Sequence, residues 1–289
     1  MLRQAAFVLA AAAALGGCAS VAPAPAFQTD LAAIEARSGG RLGVALLDAA
    51  GRKIAGYRDD ERFAMCSTFK LPLAAMVLEK AAEGQWAMGD TLPVTDADMV
   101  AYAPYVEQQR AKSPPEPVTV EGAASAAVSL SDNAAANLLL DRLGGPQGFT
   151  NWLKGKGDAV TRLDRREPEL NENAVGDPRD TTTPSAIAET SRRLVLGKAL
   201  PLGQQRLLYR WMEATSTGLK RIRGGLPQGW SAGDKTGSCG NAFNDVAVFT
   251  SEKGKRYTLA VYLDRPTVKS DAASAIIADA TRAVLPVVR

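Results

Sequence analysis

The 289-residue sequence contains no histidine. This absence excludes a Ser-His-Asp triad, a Cys-His pair and every metal site that uses a histidine ligand. The sequence also lacks a large excess of one charge. Its net charge is only +3, which gives no strong electrostatic case for a nucleic-acid partner. Any nucleophile in this chain must therefore be activated by lysine, glutamate, aspartate or tyrosine.

The N-terminus lacks an apolar run long enough to span a bilayer and instead has the order of an export signal. Arg3 supplies a positive end, and the apolar run at residues 7–15 is too short for a membrane-spanning helix. This run ends in Leu15-Gly16-Gly17-Cys18, which resembles a bacterial lipobox. We therefore expect an exported protein that resides in the bacterial periplasm.

Two cleavage sites fit this signal. In the first, residues 1–17 are removed as a lipoprotein signal peptide, and Cys18 becomes the lipidated first mature residue, which anchors the chain to a bacterial membrane. In the second, the ordinary signal peptidase cuts within residues 19–26. The stretch at residues 18–26, rich in alanine and proline, is predicted to be a tether.

Cysteine is scarce, with three residues in the chain. Export leads to a compartment in which disulfides persist. If Cys18 belongs to the export signal, Cys66 and Cys239 remain as a potential pair. Their wide separation in sequence says nothing by itself about contact.

Strand patterns lie near both ends of the chain, and helical patterns lie between them. Alternating or continuous apolar runs predict strands at residues 42–47, 53–57, 230–233, 245–250 and 256–263. Near the start, Asp30 is expected to cap a helix over residues 31–38. Helical spacing dominates from residue 67 to about residue 200, and a helix is predicted at residues 271–285.

This order predicts an α/β (α+β) fold with a discontinuous domain. The two ends of the chain share one antiparallel sheet, and a helical domain is inserted between them. The predicted boundaries are residues 27–64 and 213–289 for the α/β domain and residues 65–212 for the all-helical domain. The active site is expected at their interface.

Ser67-Thr68-Phe69-Lys70 is the only S-x-x-K sequence in the chain. At the start of a helix, Ser67 and Lys70 project on one face, near enough to form a hydrogen bond. A desolvated lysine can lose its charge and accept the serine proton, which activates a nucleophile without histidine. The simpler interpretation is a serine cap beside a solvated lysine, and the isolated motif does not decide between the two.

Two further motifs are also weak when taken alone. Ser131-Asp132-Asn133 precedes an alanine-rich helical pattern, and all three residue types begin helices, so a capping role explains them as well. Lys235-Thr236-Gly237 lies in a late strand pattern. Its glycine allows a substrate close to the backbone, and its lysine and threonine can donate to a carboxylate. The alternative there is an exposed edge strand with a bulge.

The three motifs together, in this order, resemble those of class A β-lactamases and penicillin-binding proteins. Glu167-Pro168-Glu169-Leu170-Asn171 is similar to the E-x-x-L-N loop of the class A enzymes. Arg165 matches the arginine that pairs in that family with an aspartate, here Asp180, to hold the loop. The resemblance covers essentially the whole mature chain. It implies a five-stranded antiparallel sheet flanked by helices, an inserted all-α domain, a small β-lactam substrate, a monomer, and no cofactor or metal.

The resemblance assigns catalytic roles. Ser67 would attack the lactam carbonyl and form an acyl-enzyme. Its proton would go to Lys70 or, through a water, to Glu167, and the choice between these bases is disputed. Ser131 would pass a proton to the departing ring nitrogen. Glu167 and Asn171 would hold and deprotonate the water that hydrolyses the acyl-enzyme.

The resemblance also assigns binding roles. The backbone N–H groups of Ser67 and Ser238 would form an oxyanion hole. The residues expected to bind the rest of the substrate are Tyr102, Asn133, Arg221, Lys235, Thr236, Gly237 and Ser238. Tyr102 has a simpler interpretation as a surface aromatic, and Arg221 as part of a solvated basic run. Asp132 is expected to be a structural hydrogen-bond acceptor.

The two remaining cysteines flank the expected oxyanion donors, since Cys66 precedes Ser67 and Cys239 follows Ser238. If the family geometry holds, both lie at one wall of the cleft and can form a disulfide. This placement resembles the disulfide-containing class A enzymes that hydrolyse carbapenems. The resemblance therefore implies a Cys66–Cys239 bond and carbapenem turnover. The alternatives are two free thiols or a bond without effect on the substrate range.

Three functions share an acylating serine: a β-lactam hydrolase, a peptidase acting on D-Ala-D-Ala ends, and a sensor that stays acylated. Only the hydrolase needs a positioned deacylating water, so Glu167 and Asn171 favour it. Two local features stay open. Arg166 either acts on Glu167 or points to solvent, and residues 239–243 are expected to form an unusual loop at a strand end.

Overall fold

The structure is a computed structural model that describes residues 25–288. The predicted signal peptide of residues 1–17, Cys18 and most of the predicted tether lie outside the described residues. The strands are β1 (Arg41–Asp48), β2 (Lys53–Tyr57), β3 (Phe63–Ala64), β4 (Thr91–Leu92), β5 (Val118–Thr119), β6 (Thr181–Thr182), β7 (Ser231–Cys239), β8 (Ala242–Thr250) and β9 (Arg256–Asp264).

The α-helices are α1 (Ala26–Ser38), α2 (Lys70–Ala82), α3 (Pro104–Ala111), α4 (Val120–Ser129), α5 (Asn133–Arg142), α6 (Gly145–Gly155), α7 (Pro184–Val195), α8 (Leu202–Glu213), α9 (Ile222–Gly225) and α10 (Ser270–Val284). Short 3₁₀ helices form at Cys66–Phe69, Asp96–Asp98, Glu169–Asn171 and Leu285–Val287. None of the helices formed by residues 25–288 combines the length and apolar character needed to cross a membrane.

Five strands form one antiparallel sheet in the order β2-β1-β9-β8-β7. β1 pairs with β9 along its whole length, from Arg41 opposite Asp264 to Asp48 opposite Tyr257. Strands from both ends of the described chain therefore share the sheet, and the predicted fold class is confirmed. The domain boundaries drawn from the sequence stay a prediction.

Both faces of the sheet are covered, which explains why its strands have continuous apolar runs. Val44 and Leu46 on β1 pack with α1 and α10 on one face. Ala45 and Leu47, which alternate with them, pack with Ile187 of α7 on the other face. Because side chains alternate across a strand, burial on both sides requires apolar residues at every position.

Helix α2 lies in the centre of the helical part and fixes the start of the candidate site. Every residue from Lys70 to Leu78 is buried, and α2 packs against α4, α5 and α8. A helix that is apolar on all sides belongs in a core. The start of α2 at Lys70 is therefore fixed within the helical core, and the 3₁₀ turn Cys66–Phe69 that precedes it contacts β7 and β8.

Two local predictions are wrong. Asp30 is not a helix cap, because α1 begins four residues earlier with Pro25 at its N-cap. Phe27 packs against the sheet core and extends the helix by one turn. Residues 242 and 243 are not part of a loop, because β8 begins at Ala242, which is buried opposite Cys239. The turn consists of Gly240 and Asn241 alone.

Candidate active site

Ser67 lies in the 3₁₀ turn that leads directly into α2. It is almost completely buried, with 9% of its surface exposed. Three non-glycine residues around it adopt the left-handed backbone region: Cys66 (φ 47°), Tyr102 (φ 65°) and Ser131 (φ 60°). Such conformations persist only where the surrounding packing enforces them, and they concentrate at functional sites.

Lys70 is fully buried and its Nζ is the centre of the site. Nζ lies 3.0 Å from Ser67 Oγ, 3.0 Å from Glu167 Oε1 and 2.9 Å from the carbonyl oxygen of Ser131. It also donates to Asn133 Oδ1. Desolvation lowers the pKa of Lys70, and the negative charge of Glu167 acts in the opposite direction. A lysine in this position can exist as a neutral base next to the serine hydroxyl.

Glu167 is held at the backbone and at the side chain. Its N–H donates to Asn137 Oδ1 (3.0 Å), and its carbonyl accepts from Asn137 Nδ2 (2.8 Å). Asn171 Nδ2 donates to Glu167 Oε2 at 2.5 Å. Ser67 Oγ lies 3.5 Å from Glu167 Oε1. The carboxylate thus points at the serine with one oxygen and at Asn171 with the other.

The segment 164–180, which we call the Glu167 loop, is closed at its base by Asp180. Asp180 Oδ1 accepts from the N–H groups of Asp164 (2.7 Å) and Arg165 (3.0 Å), and Arg165 Nε donates to Asp180 Oδ2 at 2.6 Å. Arg166 pairs instead with Asp141 at the surface, at 2.9 Å. Of the two roles left open for Arg166, the structure places its side chain at the solvent-exposed face.

The Glu167 loop forms one wall of the site, and the Ser131-Asp132-Asn133 motif forms the second. Ser131 Oγ accepts from Lys235 Nζ at 3.0 Å. Asp132 accepts three backbone N–H bonds, from Tyr105 (2.8 Å), Val106 (3.2 Å) and Ala135 (2.8 Å). This aspartate caps α5 and also holds the first turn of α3. Asn133 has both ends of its amide engaged, by Lys70 and by the carbonyl of Ala101.

Strand β7 forms the third wall. A Cβ at Gly237 would lie 2.6 Å from the carbonyl oxygen of Met65, so glycine is required for β7 to approach the turn that holds the serine. Lys235 is fully buried, and its desolvation together with the positive charge of Lys70 lowers its pKa to about 7. Thr236 Oγ1 lies 2.6 Å from Thr217 Oγ1.

Arg221 forms hydrogen bonds to β7 and β8 and also lines the cleft. Its Nη1 donates to the carbonyls of Gly237 (2.9 Å) and Asn244 (2.6 Å), and its Nη2 donates to Ser238 Oγ (2.6 Å). Only 8% of its surface is exposed. Burial lowers its pKa, and the carboxylate of Asp245 opposes this effect. Arg221 is therefore a buried cation and not a member of a solvated run.

Cys66 and Cys239 form a disulfide with their Cα atoms 5.6 Å apart. Both cysteines are buried and pack with Ala242. The bond joins the turn of Ser67 to the end of β7, next to Ser238. The implied pairing is confirmed.

The three walls enclose a cleft of about 280 Å³. It is lined by Ser67, Tyr102, Ser131, Asn133, Glu167, Asn171, Thr217, Arg221, Thr236 and Ser238. Lys70, Lys235 and Gly237 lie directly behind this lining, and Tyr102 stands exposed at the rim. A larger groove of about 810 Å³ opens beside the β1–β2 turn, and its lining includes none of the predicted site residues. The separate sequence motifs thus converge on one cleft.

Two residues of the site have no counterpart among the predictions. Asn137 holds the backbone of Glu167, and Thr217 bonds Thr236 and lines the cleft. Asn137 left a signal in the sequence, since it is an amide within the apolar run of α5, and buried amides need partners. Thr217 left none. Among residues 25–288, no three histidine, cysteine, aspartate or glutamate side chains group as ligands for a metal ion.

Comparison with known proteins shows the family to which the chain belongs. The model of the Beta-lactamase enzyme family matches residues 26–288. The β-lactamase L2 of Stenotrophomonas maltophilia is 44% identical over 275 residues, which cover 93% of this chain and 89% of the relative. The chain belongs to the class A β-lactamase family. β-Lactamase CTX-M-97 of Escherichia coli is 41% identical over 264 residues, covering 91% of this chain and 89% of the relative.

Solved structures of β-lactamases agree with this assignment. The reconstructed last common ancestor of the Gram-negative class A β-lactamases superposes with a TM-score of 0.87 and 47% identity, covering 92% of this chain and all of that one. A β-lactamase from Xanthomonas campestris superposes with a TM-score of 0.86 and 40% identity, covering 91% and 97% of the two chains. Together with the Cys66–Cys239 bond, these similarities fit a disulfide-containing class A β-lactamase.

Proposed function

We propose that this class A β-lactamase opens the β-lactam ring through an acyl-enzyme on Ser67, which is then hydrolysed by a water that Glu167 activates. The observation behind the proposal is the placement of the buried Glu167 carboxylate. It lies 3.0 Å from Lys70 Nζ and 3.5 Å from Ser67 Oγ, with Asn171 on its other oxygen. A base in this position serves an acyl group on Ser67 directly.

Acylation uses the lysine-serine pair. Ser67 Oγ attacks the lactam carbonyl carbon while its proton passes to the neutral amine of Lys70, 3.0 Å away. The negative charge that develops on the carbonyl oxygen is stabilised by the N–H groups of Ser67 and Ser238. The ring C–N bond then breaks, and Ser131 delivers its hydroxyl proton to the nitrogen, while the proton that Lys70 accepted from Ser67 passes to Ser131. Lys235, 3.0 Å from Ser131 Oγ, supports that transfer.

Deacylation uses the Glu167 loop. Glu167 removes a proton from a water held between its carboxylate and Asn171, and the resulting hydroxide attacks the acyl carbon. The ester bond to Ser67 breaks, and the proton returns to Ser67 Oγ. Asn137 fixes the backbone of Glu167 through two hydrogen bonds, so the base does not have to be ordered at the moment of reaction.

Substrate binding is assigned from the two buried cations at β7, which are Lys235 on the strand and Arg221 beside it. We assign the substrate carboxylate to Lys235, Thr236 and Ser238, with Arg221 as a second cation, since charge-assisted hydrogen bonds are the strong ones. Asn133 would form a hydrogen bond with the amide in the side chain of the substrate, and this bond would replace one of its present bonds to Lys70 and to the carbonyl of Ala101. Tyr102, exposed at the rim, would pack on the apolar part of the substrate.

The decisive experiment for the hydrolase proposal is a progress curve with a chromogenic cephalosporin in large excess over the non-reduced protein. Many turnovers per molecule are expected. A burst of one product per protein followed by no further reaction would overturn the Glu167 assignment first. It would point to a protein that is acylated and stays acylated.

We expect kcat/KM for an anionic β-lactam to fall as the pH rises above about 7. The pKa of Lys235 is lowered to about 7 by burial and by Lys70, so its charge is present below this pH and lost above it. The loss of one charge-assisted hydrogen bond to the substrate carboxylate predicts a decrease of about tenfold by pH 9. The measurement is kcat/KM against pH, which reports the groups of the free enzyme.

Lys235→Arg is the matched variant for this pH profile, because an arginine keeps its charge across the whole range. The decrease above pH 7 should disappear in the variant. The same decrease of kcat/KM above pH 7 in both proteins would mean that another group titrates there, and it would contradict the role of Lys235.

Carbapenems are proposed to be substrates and not inhibitors. The support is the Cys66–Cys239 bond, which joins the segments bearing both oxyanion donors and limits their movement apart. We expect repeated turnover of a carbapenem by the oxidised protein. Mass spectra of the reaction after quenching should contain little acyl-enzyme once the drug is exhausted. A protein that retains the carbapenem on Ser67 would contradict this proposal.

Export to the periplasm, attachment through a lipid on Cys18 and a monomeric state are also proposed. The support for export and lipid attachment is the lipobox-like sequence before Cys18, and the support for a monomer is the resemblance to the class A β-lactamases. The mass of the mature protein purified from bacterial membranes would test the anchor. A non-lipidated chain that begins after Cys18 would favour the ordinary signal peptidase instead, and size-exclusion chromatography would test the monomer.

A further inference from the structure

The Glu167 loop is hydrogen-bonded to the end of β7, at Cys239 of the disulfide. The residues that form this contact have no part in the proposed reaction. Asn173 Nδ2 donates to the carbonyl oxygen of Cys239 at 3.4 Å and lies 3.5 Å from Cys239 Sγ. Asn173 follows Asn171 by two residues, and Asn171 holds one oxygen of Glu167. The side chain of Asn173 therefore connects the deacylating part of the site to the end of β7.

A second residue, Arg265, binds the backbone of Asn173. Arg265 donates through Nη2 to the carbonyl oxygen of Asn173. Its own backbone N–H donates to the carbonyl of Asn241, in the turn between β7 and β8, at 2.7 Å. Its Nη1 pairs with Asp264 at 2.9 Å. Arg265 adopts the left-handed backbone region with φ 49°, which is a cost that packing must offset.

In the second half of the Glu167 loop, the contacts of Asn173 are the ones that reach the wall of the cleft formed by β7. The first half is fixed by Asp180 and by Asn137. Between residues 172 and 178, the side chains of Glu172 and Asp177 bond to Arg165 and Arg179, both within the loop. Among the described residues, the hydrogen bonds that tie this half to the rest of the protein run through Asn173 and, at the far end of the segment, from Thr181 Oγ1 to the carbonyl oxygen of Pro178 at 2.6 Å.

We propose that Asn173 is a positioning residue for deacylation, and that Arg265 supports it. This inference rests on the proposed function, since it acts through Glu167 and Asn171. Without Asn173 the second half of the loop loses its fixed point on β7, and Asn171 and the water that it holds move relative to Ser67. Ser67 and Lys70 are held separately by the buried helix α2. The acylation step is therefore unaffected.

The test separates the two steps in Asn173→Ala. In an acyl-enzyme mechanism kcat/KM depends only on steps up to acylation, whereas a slow deacylation lowers kcat and KM together. We expect kcat to fall about tenfold, as a small displacement of a reacting group can cost this much or more. The value of kcat/KM should stay unchanged. The fraction of protein that bears an acyl group in quenched mass spectra should rise.

Two further variants make the test specific. Asn173→Asp keeps the size of the side chain but replaces its donor with a carboxylate facing a carbonyl, so it should be at least as slow as Asn173→Ala. Arg265→Ala should slow the same step. Val175→Ala is the matched control, because Val175 lies in the same half of the loop with 83% of its surface exposed. It should behave as the wild type.

The outcomes distinguish this inference from the proposed function. If Asn173→Ala deacylates as fast as Val175→Ala, the inference is overturned while the hydrolase proposal stands. An equal loss in kcat and kcat/KM would assign Asn173 to the general integrity of the cleft and also overturn it. Wild-type behaviour of Asn173→Asp would mean that the side chain only fills space. A wild-type protein that produces one product and stops would instead overturn the proposed function, and the inference with it.

Discussion

Glu167→Ala should give a protein that is acylated by a cephalosporin at close to the wild-type rate and then stays acylated. Glu167 is the only carboxylate that lines the described cleft, so its removal takes away the base for the attacking water. General-base catalysis contributes about 10²–10⁴-fold, and kcat should fall by a factor in this range. The acyl-enzyme, rather than free protein, should become the dominant species during turnover.

The same variant decides between the two acylation bases. The negative charge of Glu167 raises the pKa of Lys70, against the lowering by desolvation. Removing that charge favours the neutral amine of Lys70, which is the form that accepts the serine proton. If Lys70 is the base, the acylation rate in Glu167→Ala is preserved. If Glu167 acts through a water, acylation slows together with deacylation.

Stopped-flow absorbance gives the acylation rate, and mass spectrometry of quenched samples gives the lifetime of the acyl-enzyme. Glu169→Ala is the matched control, because Glu169 lies on the same loop and its side chain is exposed. It should turn over as the wild type does. Unchanged steady-state turnover in Glu167→Ala would remove Glu167 from the deacylation step.

The catalytic motifs could be predicted from the sequence because the residues within each motif are positioned relative to one another by the local helix or strand. Ser67 and Lys70 are one helical turn apart, and their atoms meet at 3.0 Å. Strand β7 pairs with β8 in regular register through Lys235, which lies opposite Val246, and the Lys235 side chain reaches Ser131. What the motifs did not give by themselves was their convergence. The resemblance to a family supplied it.

The residues that the sequence did not indicate are those whose partners lie on other elements. Asn173 bonds Cys239 and Arg265, which are 66 and 92 residues further along the chain. No local pattern specifies such contacts. Arg166 is a similar case, since it stands beside Glu167 in sequence but pairs with Asp141 on α5. The start of α1 was missed for the same reason, because packing of Phe27 on the sheet outweighed the local capping signal of Asp30.

Ser67→Ala should abolish covalent labelling and reduce kcat on the order of 10⁶-fold. A loss of this size is typical when the serine nucleophile is removed from a hydrolase whose catalytic residues act together. Loss of the hydroxyl should not unfold the protein. Lys70 Nζ keeps the carbonyl of Ser131, the side chain of Asn133 and Glu167 as partners, so no buried charge is left unpaired. The thermal unfolding midpoint should stay near that of the wild type.

Binding and chemistry can be separated in the Ser67→Ala protein, because the residues assigned to the substrate carboxylate remain in place. A cephalosporin should still bind, with a dissociation constant measurable by calorimetry, while the intact mass of the protein stays unchanged. Ser125→Ala on α4, outside the cleft lining, is the control and should be labelled as the wild type is. An acyl group found on another residue of Ser67→Ala would mean that the nucleophile is misassigned. A variant that neither binds nor is labelled would place Ser67 in substrate recognition as well as in attack.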